Sequence, residues 1–106
     1  MKKETLKGHL DLLLLAVVST GSAHGYRIIR RLAEASDGAL ELPEGTLYPA
    51  LHRLESKGLL ESSWSTVGGR RRRVYSLTLA GERSLAHERR EWGSFASAVN
   101  TVLESV

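Results

Sequence analysis

No cysteine occurs in these 106 residues. That absence excludes a disulfide scaffold, a thiolate zinc site, an iron–sulfur cluster and a cysteine nucleophile together, and it favours an intracellular, cytoplasmic setting. Long hydrophobic runs are also lacking. The apolar stretch Leu12–Val18 holds seven residues, far short of the roughly 18 that a membrane span needs. Lys2 and Lys3 before it and the small residues Ser19–Ala23 behind it imitate the order of a secretory signal. Glu4, Lys7, His9 and Asp11 interrupt that approach, so the segment reads as the first helix of a folded domain. The four histidines, His9, His24, His52 and His87, show no metal-binding spacing. A nucleophile elbow, a phosphate-binding glycine loop and a dinucleotide fingerprint are missing too. The chain is too short for a second core. The expectation is a small domain without catalysis, cofactor or metal.

The residues present organise themselves by periodicity. Leu6, Leu10, Leu13, Leu14 and Val17 recur at helical spacing, broadened by Leu12, Leu15, Ala16 and Val18, which predicts a helix over Leu6–Thr20 buried on more than one side. Gly21 ends it, and Gly21–Gly25 reads as a turn. A second helix, Tyr26–Ala35, turns Ile28, Ile29 and Leu32 inward and Arg27, Arg30, Arg31 and Glu34 outward, with Gly38 closing it. After a connector, Ala39–Glu44, a third helix runs to about Lys57 on Leu47, Leu51 and Leu54. Pro49 suits that helix if Thr46 is its N-cap, because the third helical position has no intrahelical bond to lose. From Leu60 the period changes to two, then Gly68-Gly69 and a second run, Arg71–Leu77, predict a β-hairpin. Thr78 caps a last helix. On it Leu85, Trp92, Val99 and Val106 recur every seven residues, with Phe95 and Val102 between them and Glu88 breaking the pattern. That seam is narrower than a core-facing stripe and predicts a dimer contact.

Three helices followed by a hairpin are the plan of a winged helix-turn-helix. The fold class is therefore mainly α with a small β-hairpin: a winged helix-turn-helix over residues 1–77 and a long C-terminal dimerisation helix over residues 78–106. Charge distribution supports it. Residues 1–63 carry eight basic and eight acidic residues, residues 64–77 carry four arginines and no acid, and residues 78–106 carry three basic and four acidic. The net charge of +3 thus rests on Arg70, Arg71, Arg72 and Arg73, beside the turn glycines. Guanidiniums on a projecting loop can reach duplex phosphates or a narrow minor groove. The third helix is the candidate base reader, offering Thr46, Tyr48, Pro49, His52, Arg53 and Lys57. A second reading is a winged-helix module whose basic hairpin engages protein or RNA.

The stretches Gly8–Leu12, His24-Gly25-Tyr26, Gly45–Glu55, Gly58-Leu59-Leu60 and Tyr75–Gly81 resemble those of the PadR family of bacterial transcriptional regulators. The resemblance spans residues 6 to 85. It implies a dimeric winged-helix repressor that binds palindromic promoter DNA and releases it on meeting a small molecule. The single C-terminal helix resembles the shorter subfamily, some members of which use a tryptophan there to stack planar ligands between subunits. Trp92 is similar in placement, and with Phe95 it forms the candidate site for a small hydrophobic aromatic effector. The alternative is that Trp92 packs on the first helix of the partner. The predicted dimer interface comprises Leu10, Leu13, Val17, Leu85, Trp92, Phe95, Val99, Val102 and Val106, and Leu10, Leu13 and Val17 are expected to line the space at Trp92 in either case.

Overall fold

The structure is a computed structural model and describes residues 8–106. The predicted beginning of the first helix at Leu6 lies outside the described residues. Helix α1, Leu10–Ser19, buries Leu10, Leu14, Leu15, Val17 and Val18, so it is covered on more than one side, as its broad apolar stripe predicts. Gly21, at φ 147°, lets the chain turn away. Helix α2, Gly25–Ala35, buries Ile28 and Leu32 on one side. It stops where Asp37 and Gly38 adopt φ of 52° and 82°.

Between α1 and α2 lies strand β1, Ala23–His24, where a turn was expected. Two residues are too few to show a period, so tertiary pairing rather than local pattern makes this strand. It pairs with Tyr75 and Val74 of β3 (Arg70–Leu77), covering an edge that would otherwise stand open. Strand β2, Leu60–Val67, covers the other edge, giving the antiparallel order β1-β3-β2. The hairpin register runs from Leu60 opposite Leu77 to Val67 opposite Arg70. Only Gly68 and Gly69 remain for the turn, at φ 57° and 77°, and two consecutive positive φ values match the right-handed twist of the strands.

Helix α3, Glu44–Ser56, starts earlier than expected. Thr46 is not the N-cap. Pro43 takes that place at φ −69° and ψ 149°, and its carbonyl accepts from the backbone N–H groups of Thr46 and Leu47, both at 3.0 Å. Pro49 is consequently the sixth helical residue rather than the third, and the bond it would have donated to the Gly45 carbonyl is lost. Full burial of Leu47, Leu51 and Leu54 compensates, since each buried leucine contributes roughly 1.5–3 kcal/mol.

Helix α4, Leu79–Ser105, opens on Thr78, whose hydroxyl accepts from the Gly81 N–H at 3.0 Å and donates to the Gly58 carbonyl at 2.6 Å. Gly81 cannot carry a side chain, because a Cβ there would lie 2.1 Å from the Leu59 carbonyl oxygen. This close approach seats the helix on the start of β2, and Leu85 joins the core one turn later. Beyond Phe95 α4 leaves the body, and the molecule extends over 56 × 28 × 20 Å. Among the described residues no helix is long and apolar enough to cross a membrane.

Candidate nucleic-acid interface

Helix α3 turns its leucines inward and leaves Tyr48, Pro49, His52, Arg53 and Lys57 on the surface, with Thr46 half-buried. Tyr48 is 46% exposed. Its ring lies directly over Gly25, where a Cβ would come within 2.6 Å of the phenolic oxygen. The first turn of α2 thereby fixes the aromatic side chain at the N-terminal half of α3, the part that meets base edges in this motif.

Arg53 of α3 and Lys57 at its C-cap have a partner that the helix itself does not reveal. Arg53 donates to Asp11 on α1 at 2.5 Å, and Lys57 lies 3.8 Å from the same carboxylate. Both pairs are partly exposed, so solvent screens them and a phosphate can replace the carboxylate at little cost. Asp11 was not among the expected site residues. Its partners lie 42 residues away for Arg53, a distance at which sequence spacing carries no information.

The hairpin divides its arginines. Alternation along a strand sends Arg71 and Arg73 to one face and Arg70 and Arg72 to the other. The Arg71 and Arg73 guanidiniums lie over the Trp64 ring, 5.1 Å and 5.5 Å from its centre, at cation–π distance. Trp64, opposite Arg73 in the register, is 56% exposed and was missed as a site residue. Counting back from the two-glycine turn would have paired them. Arg73 also donates through Nε to the Ser62 hydroxyl at 2.7 Å and lies 3.7 Å from Glu55. Ser62 donates in turn to Glu55 at 2.5 Å. Arg73 thus ties the hairpin to α3, while Arg70, Arg71 and Arg72 have no carboxylate partner among the described residues.

His24 caps α2, its Nδ1 accepting from the Arg27 backbone N–H at 3.3 Å. Burial first, and then the guanidiniums of Arg72, Arg27 and Arg31, hold its imidazole below the usual histidine range. The ring is therefore neutral near pH 7.

The expected effector residues sit elsewhere. Trp92 is 44% exposed and meets His9 of its own chain edge-on at 5.0 Å, with Phe95 at 6.3 Å. A cleft of about 430 Å³ adjoins them, lined also by Asp11, Leu12, Glu88 and Glu91. Leu10, Leu13 and Val17 do not line it. Leu10 and Val17 are buried in the core, and Leu13 and Val17 border a separate groove beside α2, because the turn of α1 that meets Trp92 carries His9 and Leu12 on that side. Leu85 is likewise buried within its own chain, whereas Phe95, Val99, Val102 and Val106 are exposed.

Residues 14–87 match the model of the transcriptional regulator PadR-like family. This chain belongs to the PadR-like family. Similarity to a transcriptional regulator of Mycobacterium tuberculosis reaches 44% identity over 78 residues, covering 74% of this chain and 60% of that protein. A PadR family transcription regulator from Clostridium difficile superposes with a TM-score of 0.79 at 33% identity, covering 91% of this chain and 99% of that one. A transcriptional regulator from Clostridium thermocellum gives a TM-score of 0.85 at 26% identity, covering 93% and 97%. The PadR-like architecture is a winged helix, in which α3 is the second helix of the helix-turn-helix and the β2–β3 hairpin is the wing.

Proposed function

We propose that this PadR-like regulator is a homodimeric repressor that binds palindromic promoter DNA in the cytoplasm. Helix α3 reads bases in the major groove through Tyr48, Pro49 and His52, while Arg70, Arg71 and Arg72 on the wing hold backbone phosphates. Arg53 and Lys57 exchange Asp11 for phosphate on binding. The observation that carries this reading is the wing itself: a two-glycine turn bearing arginines without carboxylate partners, placed beside an exposed helix face whose tyrosine is held in position. The functional division runs at Thr78, with DNA binding assigned to residues 1–77 and dimerisation to residues 78–106. Within the second part the dimer surface is Trp92, Phe95, Val99, Val102 and Val106, whose exposure leaves them free to pair. The cleft at Trp92 and Phe95 suits a flat aromatic effector, with Glu88 and Glu91 beside it and Asp11 held there by Arg53.

Gel shifts or fluorescence anisotropy on the DNA upstream of its gene test the reading. The logarithm of the affinity should fall with the logarithm of salt concentration, by about 0.9 for each phosphate neutralised. Binding of duplex only at millimolar concentration in low salt would exclude it and leave a winged-helix module for protein or RNA.

A further inference from the structure

The wing and the polar face of α2 enclose a second cleft, of about 380 Å³, bordered by His24, Tyr26, Arg27, Arg30, Glu34 and Arg72. Its cations are not equivalent. Arg31 donates to the Gly21 carbonyl at 2.6 Å and so fastens the end of α1. Arg30 lies 3.4 Å from Glu34 one turn along the helix. Arg27 and Arg72 have no carboxylate partner among the described residues, yet they approach the cleft from different elements. His24, within reach of both charges, borders the same cleft and is stacked on Tyr26 with the rings 12° from parallel. Because its Nδ1 accepts the cap bond, the neutral ring carries its proton on Nε2 and has a donor left over. Two guanidiniums without a carboxylate partner and an imidazole with a spare N–H border one cleft, whose Glu34 carboxylate is paired with Arg30, and together they offer a donor set for a single tetrahedral oxyanion. The cleft also abuts the reading face, since Gly25, next to His24, is the residue that Tyr48 covers.

We infer that this cleft seats one backbone phosphate of the bound duplex, gripped jointly by Arg27 of α2 and Arg72 of the wing together with His24. The seat clamps the strand between the helix-turn-helix and the wing, so that the two halves of the reading head bind DNA as one unit. It rests on the DNA-binding reading above and adds to it the residues of α2.

The joint grip has a signature in salt dependence. Arg27→Gln and Arg72→Gln should each weaken duplex binding roughly tenfold and lower the salt slope by about one. The double variant should lower it by little more than either alone, because both residues hold the same phosphate. His24→Asn keeps a side-chain oxygen for the cap and should cost a few-fold in affinity with the slope unchanged. Replacing single phosphates of the duplex by neutral methylphosphonates should reveal one position at which neither arginine variant has any further effect. Additive slopes, or no such position, would overturn the shared seat. So would unchanged duplex affinity in both variants alongside loss of inorganic phosphate binding, which would make the cleft a small-anion site. If the unaltered protein fails to bind duplex at all, the DNA-binding reading itself fails, a result distinct from any of these.

Discussion

Two surfaces leave the same small core, and they differ in kind. The reading head, α3 with the wing, exposes Tyr48, His52 and Arg70, Arg71 and Arg73. The outer part of α4 exposes Trp92, Phe95, Val99, Val102, Leu103 and Val106, and residues 91–106 contain no lysine or arginine at all. Exposure alone therefore does not define a partner. A cationic surface with polar readers fits a polyanion, and an apolar seam with seven-residue spacing fits a second copy of itself. Under the proposed function, a chain that binds DNA through one surface and itself through the other doubles its contacts without growing.

The largest effect is expected at the seam. Val99→Glu together with Val102→Glu should leave the fold intact, since both residues are exposed, but yield a monomer by sedimentation. Affinity for an inverted repeat should then drop about a hundredfold or more as the second half-site becomes an independent event. A variant that stays dimeric would remove the seam from the account. Gly81→Ala strikes the joint between the two surfaces, where the Leu59 carbonyl leaves no room for a methyl group. It should lower stability by about 1–3 kcal/mol in denaturant titrations.

Within the head, the two kinds of contact should separate. Tyr48→Ala should reduce discrimination between operator and scrambled duplex by about 1–3 kcal/mol, whereas Arg71→Gln should weaken both duplexes alike and lower the salt slope by about one. Equal effects of both substitutions would contradict the division of labour. The smallest effect concerns pH. The folded protein holds His24 below its ordinary value near 6.5, so the unfolded chain binds that proton more readily. This contribution to stability is complete above pH 6.5 and is lost as pH falls below it towards the depressed value. Melting temperature should decline slightly over that interval, and His24→Asn should flatten the decline.

Most of the architecture was legible because it depends on local pattern. The leucine spacing of α3, the two-glycine turn and the Thr78 cap each leave a signature within a few residues, and the structure has all three where expected. What was not legible depends on contacts distant in the chain. Strand β1 exists because β3 needs a neighbour, whereas the start of α3 at Glu44 is the local exception, set by Pro43 in the N-cap position. The ion pair of Asp11 with Arg53 and the bridge from Arg73 to Glu55 join elements whose spacing gives no hint of the meeting. Four consecutive arginines read as one patch in the sequence, but the pleat of β3 assigns them to two faces with different neighbours.

Under the proposed function, two reading heads paired through α4 bind one duplex. Sedimentation of the protein with a labelled duplex carrying the inverted repeat upstream of its gene tests it most directly, with half-sites one helical turn or about 34 Å apart. The account predicts two chains per duplex at saturation and a complex that dissociates steeply with salt. A saturated complex containing one chain, or one indifferent to salt, would contradict it.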